Sequence, residues 1–259
     1  MTLLTRQNLK SNPAPIMKIN HLVDEVAAAI SINSINYAVV MLTPDDLEDF
    51  VVGFLFSQSV IKNNHDIHDI KVENTNLGLL INVDIANRCS SQLKQQKRQY
   101  PAAAGCGICG LEALEQAFPK LNQLAPSEAL EFTDLVALRR QIQTFQVKAK
   151  QSGAIHAAFN LDEQTNITAC REDIGRHNAL DKLIGHNLRS NQQIKSVLVT
   201  SRCSSELIQK AILAKINNLV SLASPSQLAV NMAIEHGLNL IHIPKVDAPI
   251  YYCRTTLSQ

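Results

Sequence analysis

The sequence predicts an α/β protein in two unequal parts, a small α+β unit over residues 18–85 and a layered α/β domain over residues 111–259. Three observations predict it. In the second half, apolar runs of strand length alternate with stretches of helix length, the pattern of a sheet joined by right-handed crossovers. In the first half, β-branched runs come in pairs around turn residues, with one helix between the pairs. Between the halves, residues 86–104 lose periodicity and gather charge in Lys94-Gln95-Gln96-Lys97-Arg98, as a solvated linker does.

Residues 1–17 are polar with two prolines and read as a loose arm. Strands are expected at 24–33 and 36–42. Thr43-Pro44-Asp45-Asp46 then signals a helix: a capping hydroxyl, a proline at the first helical position, and acids facing the dipole. That helix should run to about Ser57 with Leu47, Phe50, Val51, Phe54 and Leu55 on one face. Strands at 66–73 and 78–85 close a unit of antiparallel strands. A helix is expected over 111–118, stopped by Pro119, and another over 133–150 with Thr133 as cap. Strands follow at 156–161, 167–172, 196–200, 219–222 and 238–243, with helices at 178–189, 204–215 and 226–237.

A chain of 259 residues is long enough for a sizeable core, and its formal net charge of +1 carries no general polyanion-binding signature. No nucleic-acid partner is expected. No apolar run approaches membrane-spanning length and no apolar segment follows a charged start, so no membrane association is expected either. The expectation is a soluble, cytoplasmic protein whose six cysteines are mostly reduced. Four of them, Cys89, Cys170, Cys203 and Cys253, read as small buried hydrophobes.

The other two form the local motif Gly105-Cys106-Gly107-Ile108-Cys109-Gly110. Glycines before, inside and after the pair leave the backbone free and both sulfurs uncrowded. The expected helix after it puts Cys109 near a helix N-terminus, where thiolate is favoured over thiol. Two accessible thiols in that setting suit sulfur or disulfide chemistry.

Three further clusters fall at strand-to-helix turns, where open α/β sheets bind ligands. The first, residues 171–182, carries Arg176 as a fork-shaped donor, Gly175 for close approach, and a helix start, together suited to a phosphate. The second is Thr200-Ser201-Arg202-Cys203-Ser204-Ser205-Glu206, in which Ser204 reads as an N-cap and Arg202 is left over for a ligand. The third, Ala223-Ser224-Pro225-Ser226-Gln227, is weaker. Turns from successive strands converge on one edge, so the three together predict one pocket for something phosphorylated. His156 at a strand start reads as structural. Lys245, Asp247, Tyr251 and Tyr252 suit either a pocket wall or the end of a sheet.

Taken in order, Gly-Cys-Gly-Ile-Cys-Gly (105–110), Gly-Ala-Ile-His-Ala-Ala (153–158), Arg-Glu-Asp-Ile-Gly-Arg-His-Asn-Ala-Leu-Asp-Lys (171–182), Ser-Arg-Cys-Ser-Ser-Glu-Leu (201–207) and Ser-Pro-Ser-Gln-Leu-Ala (224–229) resemble the formate dehydrogenase accessory sulfurtransferase family, FdhD. Residues 45–56 resemble its N-terminal helix, and the likeness covers roughly residues 15–252. The resemblance implies a cytidine-deaminase-like layered α/β domain with a smaller N-terminal unit, a homodimer, and a persulfide carrier. The carrier takes sulfur from a cysteine desulfurase and passes it to the molybdenum bis(molybdopterin guanine dinucleotide) cofactor, the bound acceptor, for formate dehydrogenase or a related molybdoenzyme. It implies Cys106 as the persulfide site with Cys109 assisting, and cofactor contacts at Arg176, His177, Arg202, Ser204 and the segment Ile243, Pro244, Lys245, Val246, Asp247 and Ala248. No permanently bound metal is expected. Two positions depart from the family pattern. Ser201 stands where the family usually has Gly, and Ile243-Pro244-Lys245-Val246 stands where it tends to have Phe-x-Arg-Gly. Lysine keeps the charge there but loses the bidentate fork.

Two other readings stay open. One is a zinc site on Cys106 and Cys109, although zinc needs three or four protein ligands, and the His-x-Glu and Pro-Cys-x-x-Cys parts of the deaminase signature are missing. The other is a non-catalytic chaperone that binds the cofactor or the apo-enzyme.

Overall fold

The structure is a computed structural model and describes residues 22–90 and 120–255. The N-terminal arm, the basic run at 94–98, the Cys-x-x-Cys motif and the helix expected at 111–118 lie outside the described residues.

The first unit is a four-stranded sheet. Its strands are β1 (Val26–Ile32), β2 (Ile35–Leu42), β3 (Ile67–Thr75) and β4 (Gly78–Ile85), in the order β2-β1-β4-β3. Helix α1 (Leu47–Ser57) packs on one face of it. Alternation along β1 and β4 sends Ala28, Ile30, Ile32, Ile81 and Val83 inward against Phe50, Val51 and Leu55. The expectation of antiparallel strands throughout is corrected at one pair, because β1 and β4 run parallel. The crossover through α1 carries the chain over the sheet, and the β3–β4 hairpin then returns β4 to the middle.

The second unit is a six-stranded sheet with helices on both faces. The strands are β5 (His156–Leu161), β6 (Ile167–Asp173), β7 (Ser196–Arg202), β8 (Asn218–Ala223), β9 (Asn239–His242) and β10 (Ile250–Cys253), in the order β10-β9-β8-β7-β5-β6. One face packs on α4 (Arg176–Arg189), α5 (Ser205–Leu213) and α6 (Gln227–His236), burying Val197, Val199, Leu219 and Leu240. The other packs on α2 (Leu135–Phe145), burying Leu198, Val220 and Ile241. Burial on both faces is why these strands read as unbroken apolar runs. The short helix α3 (Val147–Ser152) leads into β5.

Three boundaries differ from expectation for tertiary reasons. Thr43 does not cap α1: it is 1% exposed, and its Oγ1 accepts a hydrogen bond from Ile174 N across the two units at 3.1 Å. The helix starts at Leu47 after Asp46 in the left-handed region, φ 52°. The single helix expected at 133–150 is two, broken at Gln146, and its cap is Asp134, which accepts from Ala137 N at 2.8 Å. The break lets Glu172 accept from the N–H groups of Lys148 and Ala149 at the start of α3, at 2.9 and 3.0 Å. Strand β10 was not expected. It adds antiparallel to β9, and its Tyr251 hydroxyl donates to Leu130 O at 3.1 Å, so the tyrosine ends the sheet.

The units meet where α1 crosses α4 with no side chain between the backbones. A Cβ on Gly53 would stand 1.8 Å from Asp181 O, and one on Gly185 would stand 1.8 Å from Asp49 O.

Candidate functional site

Strands β7, β8 and β9 run parallel. Strand β5 is antiparallel to both β7 and β6, so β6 points the same way as β7. The carboxyl ends of β6, β7, β8 and β9 and the amino end of β5 therefore share one edge of the sheet, and α4, α5 and α6 all begin there. The expected convergence of three turns is present. Ser226 N donates to Cys203 O at 3.0 Å and holds the third turn against the second.

Most of the 171–182 cluster serves the seam between the units. Asp173, fully buried, accepts from Gly175 N (2.8 Å), Asn178 Nδ2 (3.0 Å), Thr43 N (3.1 Å) and Lys182 Nζ (2.7 Å). Lys182, also fully buried, donates further to Thr43 O and Glu172 O at 2.9 and 3.2 Å. Arg171 pairs with Asp49 at 2.7 Å and donates to Cys170 O at 2.8 Å. Asp181 takes Lys210 at 2.7 Å and Ser57 Oγ at 2.6 Å. These charges are tolerated inside because each is paired and hydrogen-bonded. They are interior ion pairs, not the surface pairs or ligand groups that a local reading suggests.

What the seam leaves over faces the shared edge. Helix α4 starts at Arg176, two residues earlier than expected, so Arg176 and His177 occupy its first turn. Their N–H groups precede the first intrahelical bond there, Ala179 N to Gly175 O. Arg176 Nε is buried without a hydrogen-bond partner, and no carboxylate pairs with this guanidinium among the described residues. His177 Nε2 lies 2.6 Å from Glu206 Oε2 but makes no hydrogen bond to it. Ser204 takes the N-cap position of α5 in extended conformation without capping it, and its buried Oγ has no partner. Arg202 is exposed and has no ion pair among the described residues. Ser226, by contrast, is an ordinary cap, accepting from Ala229 N at 3.2 Å.

The segment after β9 completes this edge. Ile243 is 1% exposed within the α2-side core, so only its backbone is available to a ligand. Pro244 O accepts from Arg139, whereas Lys245, Val246, Asp247 and Ala248 are exposed. Two polar side chains below the edge were missed from the sequence. Ser221 and His242 are cross-strand neighbours, and both Ser221 Oγ and His242 Nδ1 are buried without partners. A serine and a histidine inside otherwise apolar strands were the available signal.

The electrostatics favour an anion. Three helix N-termini converge with Arg176 and Arg202, and two backbone N–H groups of α4 are free of intrahelical bonds. Burial, then the Arg176 guanidinium, holds His156 below the usual histidine range. Burial likewise lowers His177, with Glu206 opposing and Arg176 adding to the shift. Both rings are therefore neutral donors or acceptors at neutral pH. Cys106 and Cys109 lie outside the described residues. The thiols close to this edge are poor nucleophiles: burial pushes both Cys203 and Cys170 up to about 12. Among the described residues no cluster of His, Cys, Asp and Glu has the makings of a metal site, and no helix is long and apolar enough to cross a membrane.

Comparison with known proteins bears on this arrangement. Residues 23–256 match the model of the FdhD/NarQ family. The chain is 36% identical over 236 residues to the sulfur carrier protein FdhD of Cupriavidus necator, covering 90% of this chain and 82% of that one. It is 36% identical over 223 residues to the sulfur carrier protein FdhD of Shewanella oneidensis, covering 86% and 80%. The fold matches a crystal structure described as a formate dehydrogenase accessory protein from Desulfotalea psychrophila, with TM-score 0.65 and 24% identity, over 90% of this chain and 88% of that one.

Proposed function

The chain belongs to the FdhD/NarQ family, and on that premise we propose that it is a sulfur carrier in the maturation of formate dehydrogenase or a related molybdoenzyme. The observation that carries this reading is the row of unspent groups, Arg176 Nε, His177 Nε2 and Ser204 Oγ, at an edge where the neighbouring Asp173, Asp181, Lys182 and Lys210 are committed to interior ion pairs. Such a row suits a phosphate-rich acceptor, and bis(molybdopterin guanine dinucleotide) is one. Arg176 and Arg202 would bind its phosphates together with the first-turn N–H groups of α4. Glu206 would give way, leaving His177 to hydrogen-bond the ligand. The exposed 245–248 segment, on the same edge, would contribute further contacts.

Sulfur uptake is an exchange. The Cys106 thiolate attacks the outer sulfur of a cysteine desulfurase persulfide, the donor's S–S bond breaks, and the donor leaves as a thiolate. No electrons are gained or lost overall. Delivery is reductive. The Cys109 thiolate attacks the inner sulfur on Cys106, closing a Cys106–Cys109 disulfide and releasing the outer sulfur as sulfide to the acceptor, whose displaced oxygen leaves as water. A cellular dithiol reductant then reopens the disulfide. The cysteine pair is the redox partner in this scheme, and the edge residues only hold the acceptor.

The test is restoration of formate dehydrogenase activity in cells lacking this protein. Wild type should restore it and Cys106→Ala should not. Arg176→Gln should lose most of it while still taking up sulfur. Full activity from a Cys106→Ala/Cys109→Ala variant would overturn the carrier and favour a cofactor-binding chaperone.

A further inference from the structure

A cleft of about 440 Å³ opens at the edge of the six-stranded sheet opposite the candidate site, where β7 and β8 begin. That volume lies in the range of ligand sites, roughly 300–1,000 Å³. Its floor is apolar: Phe56 from α1, Ile184 and Leu188 from α4, and Leu213 and Ile216 around the end of α5. Its rim is rich in carboxamides, among them Asn63, Asn191, Gln192 and Gln193, and carries Lys62 and Lys215. Among the described residues no carboxylate lines it. Both lysines are exposed and neither has an ion pair among the described residues. The acid of the same turn, Asp66, faces inward, with a side chain 1% exposed. It is spent on Arg88 and on the N–H groups of Lys62 and Asn63, at 2.8 and 3.2 Å.

Each part of that lining recognises something different. An apolar floor takes an aliphatic or aromatic side chain. Carboxamides donate to and accept from a peptide backbone without reading its sequence. Two unpaired lysines with no acid between them select a segment rich in Asp and Glu.

The position of the cleft supplies the second argument. The chain leaves the first unit beside it: Ala86 N donates to Asp66 O at 2.8 Å, and Arg88 pairs with the Asp66 carboxylate. It re-enters on the same edge, where Asn217, next to Ile216 of the floor, donates to Ala125 O at 3.0 Å. The chain thus leaves the described residues at Ser90 and rejoins them at Lys120 on this same edge of the sheet.

We propose that this cleft docks the sulfur-donating protein, through a segment of that protein that carries acidic residues beside an apolar anchor. The inference rests on the sulfur-carrier reading and adds where and by what chemistry the donor binds. Loading then takes place at one edge of the sheet and delivery at the other, so donor and acceptor do not compete for the same surface.

The test uses the full chain as wild type, as the double variant K62E/K215E, and as the exposed control K71E. Each is loaded by a cysteine desulfurase with cysteine, and separately by glutathione persulfide, which needs no protein docking. The initial rate of sulfur uptake is read by intact mass. K62E/K215E should load about tenfold more slowly than wild type from the desulfurase and at the wild-type rate from glutathione persulfide. K71E should match wild type with both. The wild-type desulfurase rate should also fall with added salt, and that of the double variant less so. Equal rates from the desulfurase for K62E/K215E and wild type would overturn the docking site alone. Equal slowing with both donors would also overturn it, because the substitutions would then be acting on the thiols. No uptake by wild type from either donor would overturn the carrier reading itself.

Discussion

Lys182 has no exposed surface and three oxygen partners, from Asp173, Thr43 and Glu172, contributed by both units of the protein. Removing its charge leaves Asp173 buried and uncompensated. Lys182→Met should cost about 3–5 kcal/mol in urea unfolding, and the double change Asp173→Asn/Lys182→Met should recover part of that. If Lys182→Met unfolds like wild type, the ion pair is not holding the seam. Arg176, six residues earlier in the same cluster, should behave in the opposite way. Its Nε has no partner to lose, so Arg176→Gln should leave the unfolding free energy within about 0.5 kcal/mol of wild type while weakening acceptor binding. The same contrast separates the cysteines. Cys203 is fully buried with its thiol pushed up to about 12. Native protein at pH 8 should therefore leave Cys203 unalkylated by iodoacetamide, and Cys203→Ala should take up sulfur as wild type does.

The crossing of α1 and α4 is the most demanding element contact in the fold. Gly53 and Gly185 each face a carbonyl that a Cβ would approach to 1.8 Å, so neither helix can yield locally. Gly53→Ala should force the helices apart and cost at least about 2 kcal/mol, read as a lower thermal midpoint; an unchanged midpoint would contradict the close packing. Nothing local in the sequence marks this crossing, which is why the 171–182 cluster looks like a ligand site from sequence. Its acids and bases find their partners on α1 and in the 43–57 stretch, more than 100 residues away. Strands and helices of the second unit were legible because a sheet covered on both faces writes continuous apolar runs. Their convergence on one edge followed from the direction rule for strand ends. The parallel pairing of β1 with β4 was not legible, since period-two alternation is the same for either direction. The start of α1 was misread because Thr43 carries every mark of a cap but hydrogen-bonds Ile174 in the other unit. Ser221 and His242 escaped notice inside apolar strands, where a single polar residue does not disturb the pattern.

At the scale of the whole molecule, acid should loosen the protein before its carboxylates titrate. Burial is the largest cause lowering His156, His177 and His186, so each binds its proton more readily in the unfolded chain, whose usual value is 6.5. Below that pH the unfolded state takes up more protons than the folded one, and stability falls as pH falls. Asp66 and Asp162, held below 3.8, contribute stability that is lost only under more acidic conditions. The urea midpoint should therefore decline between about pH 7 and pH 5, and a flat profile there would contradict the buried, neutral histidines. In the proposed scheme the two edges of the large sheet divide the labour, with lysines at one and arginines at the other that have no ion pair among the described residues. All of this depends on one chemical event, sulfur held on a cysteine of the 105–110 motif. The direct measurement is the intact mass of wild type, Cys106→Ala and Cys109→Ala after incubation with a cysteine desulfurase and cysteine. A gain of one sulfur atom in wild type and Cys109→Ala, absent in Cys106→Ala and reversed by a thiol reductant, is the predicted result. No gain in wild type, or the same gain in Cys106→Ala, would contradict it.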